Sequence, residues 1–219
     1  MEPIKVSVDN VVRAESDRMF ADLSSQAGGV NRWSHNREPA AVDDQIVVRL
    51  NRDTLYSFAV VDLAEGATLT VPDAGERYLS VMVVSQDHYI THVLHDAGQH
   101  DLDVAAVGTR SALLAVRVLV DPHGPADLDA VARLQDAITL EARSAEPFVM
   151  PPYEEASFDG VRSALKELAR YSSGTERTFG AVDEVDPVRH LLGAVAGWGG
   201  LPEPEAVSVN VEPRLPVGE

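Results

Sequence analysis

Two short polar stretches in this sequence carry the residue types that chemistry needs. Asn51-Arg52-Asp53-Thr54-Leu55-Tyr56-Ser57 sets an amide, a guanidinium, a carboxylate and a phenol within six positions, between two apolar runs. Asp53 and Tyr56 have the groups for acid–base work, and Asn51 or Arg52 can orient a substrate carbonyl or carboxylate. The same residues also suit a structural turn, with Arg52 paired to Asp53 and with Asn51 and Thr54 bonding the backbone. Gln86-Asp87-His88-Tyr89 is the second stretch, closing an apolar run with four polar side chains. An imidazole there can move protons near neutral pH. Asp87 and His88 are neighbours on an extended chain and so face opposite ways, which argues against a bond between them. Taken together, Asp53, His88 and Tyr56 are the candidate catalytic residues. Asn51, Arg52, Asp87 and Tyr89 are the candidate substrate contacts, all placed at a β-strand rim. Strict alternation divides Asn51, Asp53 and Ser57 from Arg52, Thr54 and Tyr56, so one pocket cannot hold all of them without a bulge.

Other chemistries lack their marks. His88, His92, His95 and His100 invite a metal. On one strand, however, His88 and His92 lie roughly 13 Å apart at ~3.3 Å per residue, too far to share an ion. There is no G-x-S-x-G, no phosphate-cradling Gly-rich loop and no cysteine, and no cofactor is expected. The net charge of −17 disfavours nucleic acid and anionic membrane. No run approaches the ~18 apolar residues of a membrane span, and the first residues do not form a secretory signal. A cytoplasmic location is the resulting expectation. Arg117 stands out as a charge on an otherwise apolar run, either a buried anion anchor or an outward-facing residue.

The elements that must position these residues follow from periodicity. A helix is expected from Asp9 to Ala27, stopped by Gly28-Gly29. Val30 to Gln45 lacks a period and has the length of a binding loop or lid. Period-two patterning then predicts strands over Ile46–Leu50, Leu55–Asp62, Thr68–Val71, Arg77–Ser85, Tyr89–Leu94 and Leu113–Val120, with antiparallel pairing because the connections are short. Helical stripes follow over Ala126–Ala142, Glu154–Tyr171 and Asp186–Ala196. Asp186-Pro187 supplies a cap and a first-turn proline. A last strand is expected over Val207–Val211; as an exposed edge it implies a partner. The fold class is therefore α+β: an antiparallel β-sandwich with an N-terminal helix (1–29), a β-rich core (30–120), a helical segment (121–200) and a last strand and tail (201–219), in a single domain.

Asn51–Ser57, Arg77-Tyr78, Gln86–Tyr89, Leu134-Gln135-Asp136 and Gly197-Trp198-Gly199-Gly200-Leu201-Pro202, in that order, resemble the bacterial family of unknown function numbered twelve-fifty-four. The resemblance runs from about Asp9 to the end and implies a jelly-roll-like sandwich. Members of that family usually continue into a second β-rich domain. The resemblance therefore implies that a partner chain supplies that half, or that the product is shortened. Two functional classes emerge. One is an enzyme, or enzyme half, acting on a small organic molecule at the strand rim. The other is a non-catalytic sandwich subunit that assembles with a complementary β-rich chain or with itself.

Overall fold

The computed structural model describes residues 2–39, 51–172, 174–203 and 205. The expected strand Ile46–Leu50 and the expected last strand Val207–Val211 lie outside the described residues. Helix α1 spans Val11–Ala27, and its end is set by Gly28, whose left-handed backbone (φ 77°) lets its N–H close the last turn. A two-residue strand β1 (Ser34–His35) leads to β2 (Thr54–Asp62), β3 (Ala67–Val71), β4 (Leu79–Ser85), β5 (Ile90–Leu94) and β6 (Gly98–Leu102). After one helical turn, α2 (Val104–Val107), come β7 (Ser111–Leu119), α3 (Pro125–Ala137), β8 (Thr139–Ala142), α4 (Glu155–Ala169) and α5 (Pro187–Ala196).

The strands form two antiparallel sheets, one ordered β1-β2-β7-β4-β5 and the other β6-β3-β8. This is an α+β sandwich of two open sheets. Strand β7 is the hub of the larger sheet, with Tyr56 and Ser80 flanking Arg117 on its two sides. Apart from Ser111 at its start, its other residues are apolar because both sheet faces are covered. Leu114, Val116 and Val118 point into the interior of the sandwich with Val61, Leu69 and Val81. Leu113 and Ala115 point the other way, onto Phe20 of α1 and toward Phe179 and Trp198. A third cluster joins Val11, Leu165, Leu192 and Val195, and so fastens α1, α4 and α5 into one helical layer. Each such side chain removed from water contributes about 1.5–3 kcal/mol.

Three strands depart from the periodic reading, the shortest being β1 (Ser34–His35) inside the stretch Val30–Gln45 read as a loop. The stripe expected to run as helix through Ala142 stops at Ala137, because Ile138 turns extended and Thr139–Ala142 pairs with β3. Leu69 lies opposite Leu140 there, so partnership with a sheet edge overrides the local helical pattern. Strand β6 carries Gly98, Gln99, His100 and Asp101 at a sheet edge and buries only Leu102, which leaves no apolar alternation to detect.

The first half of the long loop is not free to move as a lid. Asn36 donates its backbone N–H to the Tyr56 carbonyl, and Arg37 bonds the Ala132 carbonyl, Gln135 and Asp136 on α3. Fully buried Gln135 ties this region together, its amide donating toward the Asn36 and Tyr56 carbonyls and the Ser57 hydroxyl. Replacing Gln135 by Leu removes those donated bonds and an acceptor of Arg37, although the Tyr56 carbonyl keeps the Asn36 N–H and the Ser57 hydroxyl keeps His35. Urea unfolding should show a loss of about 2–3 kcal/mol, whereas a change under ~0.5 kcal/mol would mean that the network is dispensable.

Candidate functional site

The polar stretches fold into two clusters at opposite ends of the large sheet. Tyr56 lies level with Ser80 near the start of β4, while Gln86–Tyr89 follows the end of that strand. The single rim expected of them does not form.

At the first end, Arg52 and Asp53 are exposed and Tyr56 is buried. The Asn51 backbone N–H donates to the Tyr56 hydroxyl at 3.3 Å, so these two do meet and the phenolic proton is left to donate elsewhere. Alternation places Thr54, Tyr56 and Phe58 on the helix-facing side of β2, and Tyr56 stacks on Phe58 with centroids 5.9 Å apart. Register then lines up Tyr56, Arg117 and Ser80 across three strands on that same face. The Tyr78 hydroxyl donates to Ser80 at 3.0 Å, and the Tyr78 ring lies 5.8 Å from that of His95. His95 in turn meets Glu205 at 2.9 Å. A polar ledge therefore interrupts a face that is otherwise apolar. Sequence reading singled out Tyr56 and Arg117, named Tyr78 only within the Arg77-Tyr78 motif and His95 only among the histidines weighed for a metal, and did not name Ser80. The i, i+2 spacing of Tyr78 and Ser80 at the head of an apolar strand was the available signal.

Arg117 is half-buried with its guanidinium 5.5 Å from the centre of the Tyr56 ring, a cation–π placement. Its Nη2 donates to the Gly199 carbonyl at 3.1 Å. Nη1 is buried and has no hydrogen-bond partner among the described residues, and the same is true of the Thr54 hydroxyl.

The second cluster is built around His88. Its backbone is left-handed (φ 62°), an unusual position for a side chain with a Cβ. The turn is held by the Ser85 carbonyl, which accepts from the His88 N–H, and by the Ser85 hydroxyl, which accepts from the Tyr89 N–H. The imidazole is wholly buried, stacked on Trp198 (5.0 Å) and His190 (5.5 Å), with the Phe179 ring edge-on. Its Nε2 accepts from the Gly199 N–H at 3.0 Å, so the proton of the neutral ring resides on Nδ1. Burial, reinforced by the neighbouring His190, pushes its pKa down to about 3. Asp87 and His88 do not bond, though the chain here is a turn and not the extended strand from which that expectation was drawn: Asp87 forms a two-pronged ion pair with Arg13 of α1. Tyr89 is half-buried and lies flat on His190 at 4.6 Å, and His190 meets the Asp87 backbone carbonyl at 3.0 Å. Gly199 thus joins the two clusters, its N–H held by His88 and its carbonyl by Arg117. Nothing in the order of residues announced that link.

Elsewhere, buried ionisable groups are paired. Glu15 of α1 is held by Arg18 and Arg162, and Asp17 by Gln86 and the Tyr153 hydroxyl. Asp62 accepts from Arg110 and the Ala64 and Glu146 N–H groups, and its pKa falls to about 2 despite burial. Among the described residues no cluster of three or more His, Asp or Glu side chains is disposed to hold a metal ion, and no helix is long and apolar enough to cross a membrane.

Fold and ledge define an α+β sandwich with a polar patch on its helix-covered face. Residues 30–101 match the model of a family described as a protein of unknown function (DUF1254), which bears out the resemblance over the span that includes Asn51–Ser57 and Gln86–Tyr89. Leu134–Asp136 and Gly197–Pro202 lie outside that span. The fold is similar to the crystal structure of the VPA0106 protein from Vibrio parahaemolyticus, with a TM-score of 0.67 over 89% of this chain at 14% identity. The chain spans 66% of that protein's length. No curated protein matches the sequence.

His88 gives a signed pH prediction. Its folded pKa lies below the unfolded value near ~6.5, so the unfolded state takes up the proton more readily. Stability is complete above that value and declines as pH falls toward about 3. Calorimetry between pH 7 and pH 5 should show a loss of about 2 kcal/mol from this ring. His88→Phe should flatten that slope, and an unchanged slope in the variant would place the protonation elsewhere.

Proposed function

We propose that this chain is a small-molecule-binding domain whose ligand lies on the ledge formed by Tyr56, Arg117 and Ser80. The supporting observation is the ledge itself. Polar groups crossing a buried sheet face carry a desolvation cost unless something bonds them, and the Arg117 Nη1 and the Thr54 hydroxyl are left unbonded among the described residues. In this reading Tyr56 donates its free proton to the ligand, with Asn51 and Arg52 in the exposed segment that leads into β2. Asp53, exposed in the same segment, is the group proposed to exchange protons with a substrate. His88 is a positioning residue, because it reaches the ledge only by holding Gly199. Asp87 and Tyr89 brace its turn from behind. The enzymatic version of this reading has Asp53 and Tyr56 as its acid–base pair.

The test is an amide NMR titration with a panel of small polar organic molecules. A ligand of this site should shift signals at Tyr56, Ser80 and Gly199. Tyr56→Phe keeps the ring under Arg117 but removes the hydroxyl, and should weaken binding about tenfold. Shifts confined to Gln86–Tyr89 or to the helical layer would sink the placement.

A second reading, assembly with a complementary chain or another copy, draws support from a different region. Exposed Leu168, Tyr171 and Val188 border a cleft of about 290 Å³ between α4 and α5. Apolar side chains gathered around a cleft mark interaction surfaces. On this reading the protein sediments as an assembly at micromolar concentration, and Val188→Asp returns it to monomer. A wild-type protein that is monomeric throughout, alone and mixed with its β-rich counterpart, removes that reading.

A further inference from the structure

We propose that the ledge selects a small monocarboxylic acid with an apolar body, and that Arg117 is the group that recognises its carboxylate. The inference rests on the ligand site proposed above and deepens it. Arg117 differs from its peers. Among the described residues, the other half-buried arginines each meet a carboxylate: Arg13 meets Asp87, Arg18 and Arg162 meet Glu15, Arg77 meets Asp127, and Arg189 meets Glu176. In a chain with 35 acidic and 18 basic residues, a partly desolvated guanidinium facing no acid is the exception that needs a reason. Guanidinium stays charged at all working pH values and cannot shed its cost by deprotonation. On this proposal the negative charge, which no described residue supplies, arrives with something that binds.

The class of anion follows from which donors are present. Nη2 is engaged by Gly199, so Nη1 is the donor without a partner among the described residues, and the Tyr56 side chain next to this guanidinium carries a hydroxyl whose proton has no acceptor among them. One guanidinium nitrogen and one phenol can supply a donor to each of the two oxygens of a carboxylate. A phosphate asks for more, usually a glycine-rich loop or a helix N-terminus supplying several N–H groups, and the ledge is built on mid-strand side chains instead. The stacked Tyr56–Phe58 pair beside Arg117 offers an apolar flank for the body of the acid. Both neighbours of Arg117 in the strand, Val116 and Val118, are apolar and point to the opposite face, so neither compensates the charge.

The experiment titrates the full chain with benzoate, benzamide and phenyl phosphate, following the Gly199 amide and the Arg117 Nε–H by NMR. Benzoate should shift both signals saturably, and the isosteric neutral benzamide should bind roughly ten- to hundredfold more weakly. Arg117→Gln should lose that preference, while Arg117→Lys keeps part of it. Should Arg117→Gln fail to fold, the benzoate–benzamide comparison in the wild-type protein still decides. Equal binding of benzoate and benzamide, both weakened by Tyr56→Phe, would overturn the carboxylate assignment and leave the site standing. Tighter binding of phenyl phosphate than of benzoate would overturn the monocarboxylate class. No shift at Gly199 or Arg117 with any of the three would overturn both the anion and the site.

Discussion

Strand β7 is buried on both faces, and most of the architecture depends on that constraint. It pairs with β2 on one side and β4 on the other, so it has no free edge, and it carries the sandwich interior on one face and the helical layer on the other. A strand in that position tolerates almost nothing but apolar side chains. Arg117 is its single charged residue, and the surroundings are arranged to hold it, with the Tyr56 ring to one side and the Gly199 carbonyl at its tip.

Gly199 transmits that arrangement to the rest of the molecule. One residue, through the two peptide groups that flank its Cα, gives its carbonyl to a cation on β7 and its N–H to an imidazole in the β4–β5 turn. Because the His88 ring must stay neutral to accept that N–H, its burial among Trp198, Phe179 and His190 belongs to the same design as the ledge. The left-handed backbone at His88 places the ring inward, where a strand residue would project from the rim. Electrostatics, packing and backbone geometry thus converge on the loop after α5, which is the part of the helical layer nearest the ledge.

The helical layer is tied down by charge as much as by apolar contact. Helix α1 buries Glu15, Ser16 and Asp17 in succession, and each finds a partner in another element: Arg162, Trp198 and Tyr153. A conventional amphipathic stripe would have placed such residues outside. Their burial is compensated because α4, the segment before it and the α5 loop all converge on the first turns of α1. Cutting any one of those partners would leave a charge or hydroxyl without a bond in a low-dielectric environment, where the loss is largest.

Local pattern determined what local physics controls. Period-two runs located β2, β3, β4, β5 and β7, because a side chain that must face a core repeats every second residue. Asp186-Pro187 marked the start of α5, and Asp186 caps it by accepting from Val188 and Arg189. The polar character of both candidate stretches was equally plain. Pairing partners decided the remainder. Thr139–Ala142 became a strand because β3 offered an edge, and β6 carried no apolar signal since it lies at the margin of its sheet. The site was beyond local reading for the same reason. Tyr56, Ser80, Arg117 and Gly199 are far apart in sequence and meet only through strand register and a loop folded back from α5. Such register is a property of the assembled sheet, in which each strand is aligned by neighbours distant along the chain.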